Sequence, residues 1–579
     1  MKLIYDIETY KNYFLIMFKA KGKVKYVQMH NDVITGDYTR KTLPLKHTLI
    51  GFNNINYDDV MLSAFYGGAS NEQLKKLNDA IIEEGLRYWQ TYRRFKIRDL
   101  KLDTIDLSEP APGVMISLKM YGARMGMPKL QDLPIEPSAT ISDSDAIELR
   151  KYCINDLDTT EELYNQISKA IELREQLSEK YGVDMRSKSD AQMAESIISS
   201  YMDVSKRQTD VKPFKYVPRP WLKFESNELN DLLNIACTVD YQLSVKGSLI
   251  APKEFSKAFE FKGTKYKVAI GGIHSQEKSQ VIIPKDDEVL YEADLSSMYP
   301  VIITEQGLYP KHLGPKFLEV YSNILSDRLS AKRTGDKVLN ETYKITLNGS
   351  YGKFGSQYSF LFSPELLIQT TITGQLSIMM IIERLTDIGV QIVSANTDGI
   401  NVLHKKSLQK EVDSIFFEWE LDTGYNFEYT PYSATYNESV NSYIAIKPDG
   451  SVKGKGFYAK SWLGKNPDAD ICVTAVIDYL NKGVPVEDTI NNCNDVIEFL
   501  TARKVAGGAV YKDIDLGKVV RFYHSTVDGN ITYKKNGNKV PKSDSCKPLM
   551  DLVDHVPSDL DREWYIKECY SNLKKLGVE

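Results

Sequence analysis

The sequence predicts an α/β protein of several domains, and three observations support this fold class. The chain has 579 residues, more than one hydrophobic core usually serves, so three or more structural units are expected. Residues 1–185 alternate apolar stretches typical of buried strands, such as KLIYDIETY, with stretches of helical periodicity. Further along, VQIVSA and INVLH flank the dipeptide Asp398-Gly399, which indicates a β-hairpin.

Composition and charge narrow the class of protein. Hydrophobic residues make up 42% and charged residues 26%, as in ordinary globular proteins, and the net charge of −5 excludes a uniformly basic nucleic-acid binder. Any contact with nucleic acid would need local basic surfaces. The six cysteines form no CxxC pair, which fits a reducing compartment. Acids within the first eight residues and the lack of a long uninterrupted apolar run predict an intracellular protein with neither signal peptide nor membrane span.

The first candidate site consists of acids in the N-terminal region. Asp6 and Glu8 alternate along a predicted strand and therefore point to one face. Asp58 lies at a strand-to-helix junction, and Tyr152 and Asp156 are four residues apart on a helix, hence on one face. If these acids converge, they can hold two Mg²⁺ or Mn²⁺ ions about 3.5–4 Å apart, which is an arrangement that hydrolyses phosphodiesters. Taken singly, each acid is as well explained as a strand-end or surface carboxylate.

The three motifs together resemble those of a known family. DIET, NNINYD and YCIND are similar to the exonuclease motifs of the DnaQ-like 3′–5′ proofreading domain of family B DNA polymerases. The resemblance implies an RNase H-like fold, with the four acids as metal ligands and Tyr152 positioning the attacking water. It also implies that Asn54 contacts the frayed primer end. SLKMY, with Ser117 and Leu118, resembles a single-strand-binding motif of the phage branch, and Lys129 falls where that branch has a catalytic lysine.

The second candidate site combines acids from two strands with a row of cations. Asp294 ends the predicted strand VLYEADL, and Asp398 lies on the hairpin. A strand-end carboxylate with free carbonyls beside it suits Mg²⁺. Converging cations would meet the charge of a transferred phosphoryl group, although a basic helix face is more often simply solvated. The intervening helices carry the candidate phosphate-binding face: Arg328, Lys332, Lys344, Asn348 and Tyr351.

DLSSMYP, KITLNGSYG and NTDG resemble motifs A, B and C of family B polymerases, in the same order along the chain. The resemblance implies a right-hand polymerase in which Asp294 and Asp398 bind two catalytic metal ions with help from the Leu295 carbonyl. The helix cations and Asn348 would hold the incoming dNTP.

Further roles follow from the same resemblance. Tyr299 would stack under the sugar and exclude a 2′-hydroxyl, while Tyr351 would pack beside the nascent base pair. AIGGIHS, with Gly271 and Gly272, resembles the Gly-Gly motif that links the exonuclease and polymerase domains and contacts DNA.

Three residues depart from the family pattern. Asn396 replaces the first acid of motif C, Gly399 stands where Ser is usual, and Gly349 interrupts motif B. In the family the second acid of motif C is the direct metal ligand, so one acid from each strand is enough. We therefore predict an active polymerase with altered metal affinity or metal preference.

Two lysine-rich stretches predict contacts with a DNA backbone. SVKGKGFYAKSWLGK contains Lys453 and Lys455 without an acid, and YKKNGNKVPKSDSCK adds a second basic stretch. Both could instead be solvated loops. VNSYIAI occupies the place of the family's primer-holding motif and keeps Tyr443 without the usual lysines, so Lys453 or Lys455 would take over that role.

The resemblance divides the chain into five segments: an exonuclease domain at 1–185, palm entry and palm with motif A at 186–314, a fingers hairpin at 315–350, palm with motif C at 351–465, and a thumb at 466–579. The compact size is similar to phage enzymes. The short spacings from Asp294 to Lys344 and from Asn348 to Asp398 leave little room for the inserts of protein-primed polymerases.

The predicted function is a template-directed DNA polymerase with proofreading. It would replicate a phage genome as a monomer in the host cytoplasm, without strong strand displacement. The expected partners are primer-template DNA, a single-stranded 3′ end and phage replication proteins such as helicase, primase and single-strand-binding protein. One alternative is a 3′–5′ exonuclease with a weakened or lost polymerase site, and the other is a non-catalytic DNA-binding replication factor.

Overall fold

The computed structural model describes residues 1–579 apart from residues 206, 209 and 528. The chain forms two compact units. Unit 1 comprises Met1–Ser189, Lys460–Cys472 and Thr489–Ile566. Unit 2 comprises Asp190–Ala459, Val473–Asp488 and Lys567–Glu579. The residues assigned above to a thumb are thus divided between the two units, and the other predicted domain limits stay predictions.

The elements of residues 1–189 are β1 (Lys2–Thr9), β2 (Tyr13–Ala20), β3 (Lys23–His30), β4 (Val33–Gly36), β5 (Thr48–Gly51), α1 (Asp58–Tyr66), α2 (Asn71–Ile82), α3 (Tyr88–Phe95), β6 (Thr104–Asp106), α4 (Leu118–Arg124), α5 (Asp143–Gln166) and α6 (Ser168–Tyr181).

The elements of residues 190–459 are α7 (Asp190–Ser199), α8 (Asn227–Thr238), β7 (Gln242–Leu243), β8 (Leu249–Ile250), β9 (Phe259–Phe261), β10 (Thr264–Ala269), β11 (Gly272–Ser275), β12 (Gln280–Ile282), β13 (Glu288–Leu295), α9 (Met298–Glu305), α10 (Lys316–Thr334), α11 (Lys337–Lys353), α12 (Pro364–Asp387), β14 (Gln391–Asn396), β15 (Gly399–Lys405), α13 (Gln409–Thr423), β16 (Phe427–Tyr432), β17 (Ala434–Ser439), β18 (Ser442–Ile446) and β19 (Val452–Lys455).

The remaining elements are α14 (Asp470–Lys482), α15 (Val486–Asn492), β20 (Thr501–Tyr511), β21 (Ile514–His524), β22 (Thr532–Tyr533), β23 (Cys546–Pro548) and α16 (Arg562–Lys575).

Unit 1 is built on a six-stranded sheet of order β4-β3-β2-β1-β5-β6. β1 lies inside it, antiparallel to β2 and parallel to β5. Because side chains alternate along a strand, Tyr5 and Ile7 enter the core shared with α1 and α2, whereas Ile4 enters the core shared with α5. Asp6 and Glu8 therefore point to the α5 face.

A second sheet in unit 1 has the order β22-β20-β21-β23. Its long β20–β21 hairpin packs on α4, since Ala502 and Val519 share a buried cluster with Met120 and Ala123. The basic stretch YKKNGNKVPKSDSCK lies in this region, where Lys534 pairs with Asp515 at 2.5 Å and Lys547 with Asp559 at 3.0 Å.

Unit 2 is built on a seven-stranded sheet of order β16-β13-β15-β14-β11-β10-β9. The predicted hairpin is confirmed, because β14 and β15 pair antiparallel up to Asn396 and Gly399. Among the helices that the structure describes, α12 is long and apolar enough to cross a membrane, but 89% of that stretch is buried inside the protein, as in a core helix. A smaller sheet, β12-β17-β18-β19, completes this unit with the β7–β8 pair.

The predicted helical pair around Gly335 is also confirmed. α10 ends at Gly335, whose φ of 74° is the left-handed conformation that glycine adopts readily, and α11 begins after the Asp336 cap, which accepts from the Leu339 N–H. α10 packs on α11, and α11 packs on α7.

Candidate active sites

In unit 1 the predicted acids converge. Asp6 and Glu8 of β1 and Asp156 of α5 each offer a carboxylate oxygen, and these oxygens all lie within 4.8 Å of one another. α5 is positioned by its Ser142 cap, which accepts from the Asp145 N–H. Tyr152 lies one turn before Asp156 on the same helix, and it interacts electrostatically with Asp156, Glu8 and Asp6. The helix spacing read from the sequence therefore brings both side chains to β1.

Asp58 completes this acidic group. It opens α1, where the positive end of a helix favours an acid, and it is buried with its Oδ1 lacking a hydrogen-bond partner. The neighbouring Asp59 instead faces Tyr5, whose hydroxyl donates to it. Asp106 holds the preceding turn by accepting from the Asn53 N–H at 2.8 Å. Asp58 thus reaches the site from a rigid turn.

Among the described residues, none of these four carboxylates forms an ion pair with a basic side chain, and the pKa values of all four are raised. Desolvation raises the pKa of Asp6 to about 6. Desolvation and the charge of Asp6 raise the pKa of Asp156 to about 7. The pKa values of Glu8 and Asp58 are raised well above the ordinary range, first by desolvation and then by the neighbouring carboxylates. Clustered oxygen ligands, one of them without a partner, are the donor set that Mg²⁺ or Mn²⁺ requires, so the residues fit a pair of divalent cations.

Other residues predicted for this region lie differently. Asn54 is fully buried and donates to Thr104 at 2.6 Å, so the exposed asparagine of the turn is Asn53. Asn54 also packs against Gly51, where an added Cβ would lie 2.7 Å from the Asn54 Cβ. Its contact with a DNA end stays a prediction.

Ser117 and Leu118 have structural contacts. The Ser117 hydroxyl caps α4 by accepting from the Met120 N–H at 3.3 Å, and Leu118 packs on the α5-side core. The cation whose charge reaches Asp156 is Lys119, which pairs with Asp132 at 2.8 Å. Lys129 is exposed and its backbone forms a bridge with Asp551. Sequence reasoning missed Lys119, although it directly follows the quoted Ser-Leu pair.

In unit 2, Asp294 and Asp398 line one pocket of about 90 Å³. β13 pairs with β15 so that Asp294 lies opposite Gly399, and the Leu295 N–H donates to the Asp398 carbonyl at 2.8 Å. Desolvation, Glu292 and Asp398 raise the pKa of Asp294 to about 6, whereas Lys453 and Lys455 oppose this. The two acids predicted from motifs A and C are therefore brought together.

Glu292 is a third acid that the sequence reasoning missed. It lines the same pocket, pairs with Lys453 at 2.7 Å and accepts from the Tyr432 hydroxyl at 2.5 Å. Its position was readable, since Glu292 and Asp294 alternate on β13 as Asp6 and Glu8 do on β1.

Lys453 and Lys455 enter this pocket from β19. β18 pairs with β19 so that Tyr443 lies opposite Lys455, and both lysine Nζ atoms lie 5.8–6.0 Å from the centre of the Tyr443 ring. The structure thus groups the three residues predicted to hold a primer strand with Asp294 and Asp398.

Asn396 ties the hairpin to the β17–β18 turn. Its amide nitrogen donates to the Val440 carbonyl at 3.3 Å and to Asn441 Oδ1 at 3.2 Å. An aspartate offers no donor to these two oxygens when ionised. Asn396 therefore makes two hydrogen bonds in this chain that an ionised aspartate at the same position could not make.

The two glycine departures also have packing reasons. A Cβ at Gly399 would lie 2.0 Å from Asp294 Oδ1, so glycine leaves room for that carboxylate. A Cβ at Gly349 would lie 2.9 Å from the Asp190 carbonyl, because α11 and α7 pack closely there.

The predicted nucleotide-binding residues share one region of unit 2. Tyr299 and Tyr351 stack with ring centres 3.9 Å apart. Arg328 donates to Ser297 at 2.8 Å, while its Nε is buried without a partner. Lys332 pairs at 2.5 Å with a residue of β16, Glu428, that lies opposite Asp294.

Lys344 and Asn348 are exposed on the α11 face that also carries Tyr351, following the helical spacing. Gly271 accepts from the Tyr299 hydroxyl at 3.3 Å. Gly272, with φ of 151°, leaves only 2.7 Å between an added Cβ and Thr397 Oγ1. The Gly-Gly segment therefore packs on both the hairpin turn and the tyrosine pair.

Comparison with known proteins gives short matches to polymerases. The chain is 26% identical over 130 residues to DNA polymerase 1 of Sulfurisphaera ohwakuensis, covering 21% of this chain and 14% of that protein. It is 23% identical over 144 residues to DNA polymerase 1 of Sulfolobus acidocaldarius, covering 24% and 16%. The matched segments thus span less than a fifth of either relative.

Among solved structures, the family B DNA polymerase from the hyperthermophilic archaeon Pyrobaculum calidifontis aligns with 99% of this chain and 77% of its own length, at 13% identity and a TM-score of 0.42. No protein-family profile matches the chain.

Proposed function

We propose that this protein is a template-directed DNA polymerase of the family B type with a 3′–5′ exonuclease site. The observation that carries the proposal is the unit 2 pocket, where Asp294 at the end of β13 and Asp398 in the β14–β15 turn lie beside Lys453 and Lys455. The motif order A, B, C in the sequence and the segment matches to two DNA polymerases support the same reading.

In the polymerase reaction a primer 3′ hydroxyl attacks a dNTP. Divalent cations held by Asp294, Asp398 and the Leu295 carbonyl would supply positive charge to the transferred phosphoryl group. Lys332 would exchange Glu428 for a phosphate oxygen, and Arg328 has an Nε that lacks a partner. Lys344 and Asn348 present donors from α11.

The stacked tyrosines shape the remainder of the nucleotide site. Tyr299 lies flat against Tyr351 and is held by the Gly271 carbonyl, so its ring is a fixed wall for the sugar. A fixed ring at this place would exclude a 2′-hydroxyl by its volume. Lys453, Lys455 and Tyr443 would bind the primer backbone.

In the exonuclease reaction water attacks the terminal phosphodiester of a single strand. Asp6, Glu8, Asp58 and Asp156 would hold two divalent cations, which would supply a nucleophilic hydroxide and charge stabilisation. Tyr152 lies on the same helix face as Asp156 and would orient the water. Phage origin, a monomeric state, action with helicase, primase and single-strand-binding protein, and extension of nucleic-acid primers remain parts of the proposal that the resemblance suggests.

A second candidate is a 3′–5′ exonuclease without polymerase activity, which Asn396 favours because it removes one charge from the motif C hairpin. Primer extension with Mg²⁺ and four dNTPs separates the two. The test uses Asp6→Ala/Glu8→Ala protein, so that degradation does not hide synthesis. Extension that is lost on adding Asp398→Ala supports the polymerase. No extension in Mg²⁺ or Mn²⁺, with unmutated protein still degrading single strands, would leave only the nuclease.

A further inference from the structure

The segment 87–101 of unit 1 is the densest mixture of basic and aromatic residues outside the two sites. It contains six Lys and Arg, four aromatic residues and one acid, in a chain whose net charge is −5. Exposed aromatic rings interleaved with cations are the composition of surfaces that bind single-stranded nucleic acid. The proposed metal sites use none of these residues.

α3 presents these side chains on a fixed support. Trp89 is 57% exposed, and Arg93 follows it by one helical turn on the same face. Exposed Lys96 caps the end of the helix in a left-handed conformation. On the opposite side Thr91 is buried, and Tyr92, next to the exposed face, packs on the core with α1. The Tyr92 hydroxyl contacts Ser63 at 3.2 Å. The exposed ring and cations therefore stand on a helix that the core holds in place.

Several of the cations have no acid to neutralise them. Arg94 pairs with Glu84, and Lys101 pairs with Asp99 at 2.7 Å. Within the described part of the chain, no carboxylate lies within 4 Å of the remaining charged groups of the segment: Arg87, Arg93, Lys96 and Arg98. An anionic partner is what such a group of cations attracts.

A pocket adjoins α3 on the side of Tyr88 and Tyr92. Its volume is about 220 Å³, and its wall includes Asp59, the residue that follows the proposed metal ligand Asp58. Tyr88 is 42% exposed at the rim. The aromatic surface is thus continuous, within unit 1, with the turn that carries an exonuclease acid.

We propose that the α3 face is a binding site for single-stranded DNA, with a base stacked on Trp89 and phosphates held by Arg93 and Lys96. Arg87 and Arg98 extend the cationic surface at either end of the helix. The inference rests on the proposed exonuclease function for the choice of DNA as the occupant, while the physical recognition is stacking plus phosphate contact. An acidic protein segment would use the charges but gain little from Trp89.

The test is binding of a fluorescein-labelled 15-mer of thymidylate to the full chain in EDTA, measured by anisotropy at several salt concentrations. Trp89→Ala should weaken binding about tenfold without changing the salt dependence, because stacking is worth about 1–3 kcal/mol per base. Arg93→Gln/Lys96→Gln should reduce the slope of log K against log salt by about 1.4, since each single-strand phosphate contact contributes about 0.7. Trp89→Phe should restore most of the affinity.

The matched control is Lys21→Gln/Lys23→Gln, which removes the same charge from the exposed β2–β3 turn of unit 1. Equal losses in control and α3 variants, or no loss in either α3 variant with normal circular dichroism, would overturn the proposal. So would competition by polyglutamate as effective as that by unlabelled oligonucleotide. Nuclease activity in Mn²⁺ is measured separately: its absence with intact α3-dependent binding would reject the proposed exonuclease but not this site.

Discussion

The two acidic sites of this protein differ in whether basic side chains lie beside their clustered carboxylates. In unit 1 the carboxylates of Asp6, Glu8 and Asp156 lie within 4.8 Å of one another and Asp58 interacts electrostatically with Asp6 and Glu8, yet in the described chain none of the four forms an ion pair. Lys119, which pairs with Asp132, opposes the rise in the pKa of Asp156. In unit 2 the pocket contains two lysines, one of them paired with Glu292 at 2.7 Å. Among the described residues, the first site thus has no cation paired with its acids, whereas in the second Lys453 pairs with Glu292.

This difference bears on Asn396, which stands where the family pattern has the first acid of motif C. A site that already contains Glu292, Asp294 and Asp398 keeps three acids beside two lysines although its hairpin has lost one acid. The asparagine amide meanwhile connects the hairpin to Val440 and Asn441. Compared with an aspartate, Asn396 therefore gives the unit 2 site one negative charge fewer and two hydrogen bonds to the β17–β18 turn.

The largest effect is expected from a substitution that displaces an acid of the unit 2 site and leaves unit 1 unchanged. Gly399→Ala places a Cβ against Asp294 Oδ1, so the carboxylate must move while the backbone need not. We expect primer extension to fall about a hundredfold, since a shift of about 1 Å in a reacting group costs that much. Single-strand degradation should be unchanged, and steady-state kinetics of both reactions measure this. The control is Gly263→Ala, where nothing lies within 4 Å of an added Cβ but the φ of 80° strains the backbone, so its folding is checked by circular dichroism. Equal losses of extension in that folded variant would contradict the argument.

The charges of Glu292 and Lys453 should shift the pH dependence of the unit 2 site in opposite directions. Glu292 raises the pKa of Asp294 and Lys453 lowers it. Asp294 must be ionised to bind a metal, so protons compete with the metal and extension should decline at acid pH. Glu292→Gln should move this acid limb to lower pH, and Lys453→Gln should move it to higher pH. Shifts in the same direction, read from pH profiles of extension, would show that the two charges do not act through Asp294.

A third effect concerns the stability of unit 1 without metal. The folded pKa values of Asp6 and Asp156, about 6 and about 7, exceed their ordinary value of 3.8. Carboxyl groups whose pKa is raised on folding contribute stability that is present below pH 4 and lost as the pH rises through 6 and 7. Thermal unfolding in EDTA should therefore show a lower midpoint at pH 8 than at pH 6, and Mn²⁺ should restore it. Asp6→Asn/Asp156→Asn should weaken both dependences, and Glu8 and Asp58, whose pKa values are also raised, account for what is left.

The smallest expected effect tests the structural tie of Asn396. Asn396→Asp replaces two amide donor contacts with a carboxylate facing the Val440 carbonyl and Asn441 Oδ1. We expect a loss of about 1–2 kcal/mol in the free energy of unfolding, the range for a polar group left without a partner. Urea denaturation measures it, with Asn441→Ser as a second variant that spares the Asn396 contact with Val440. Unchanged stability would mean that the tie is not needed.

Sequence reasoning predicted the parts whose signal is local. The alternation of Asp6 and Glu8, the helical spacing of Tyr152 and Asp156 and the turn at Asp398 each reflect a backbone period that neighbouring residues define. It missed Glu292 and Lys119, although both lie in quoted sequence stretches. Neighbouring residues do not determine which charged side chain faces a site. Nor does a local signal show that tertiary packing buries Asn54 against Gly51 and Thr104.

The sequence by itself determined the α/β class, the order of the motifs and the identity of the acids, since these depend on residue type and spacing. The tertiary structure decided which charges meet: the pairing of Lys453 with Glu292, the room that Gly399 leaves for Asp294, and the grouping of residues 489–566 with the first 189. These depend on contacts between residues far apart in the chain, and strand register and close packing set such contacts to within an ångström. Residue spacing along the chain carries no information at that distance.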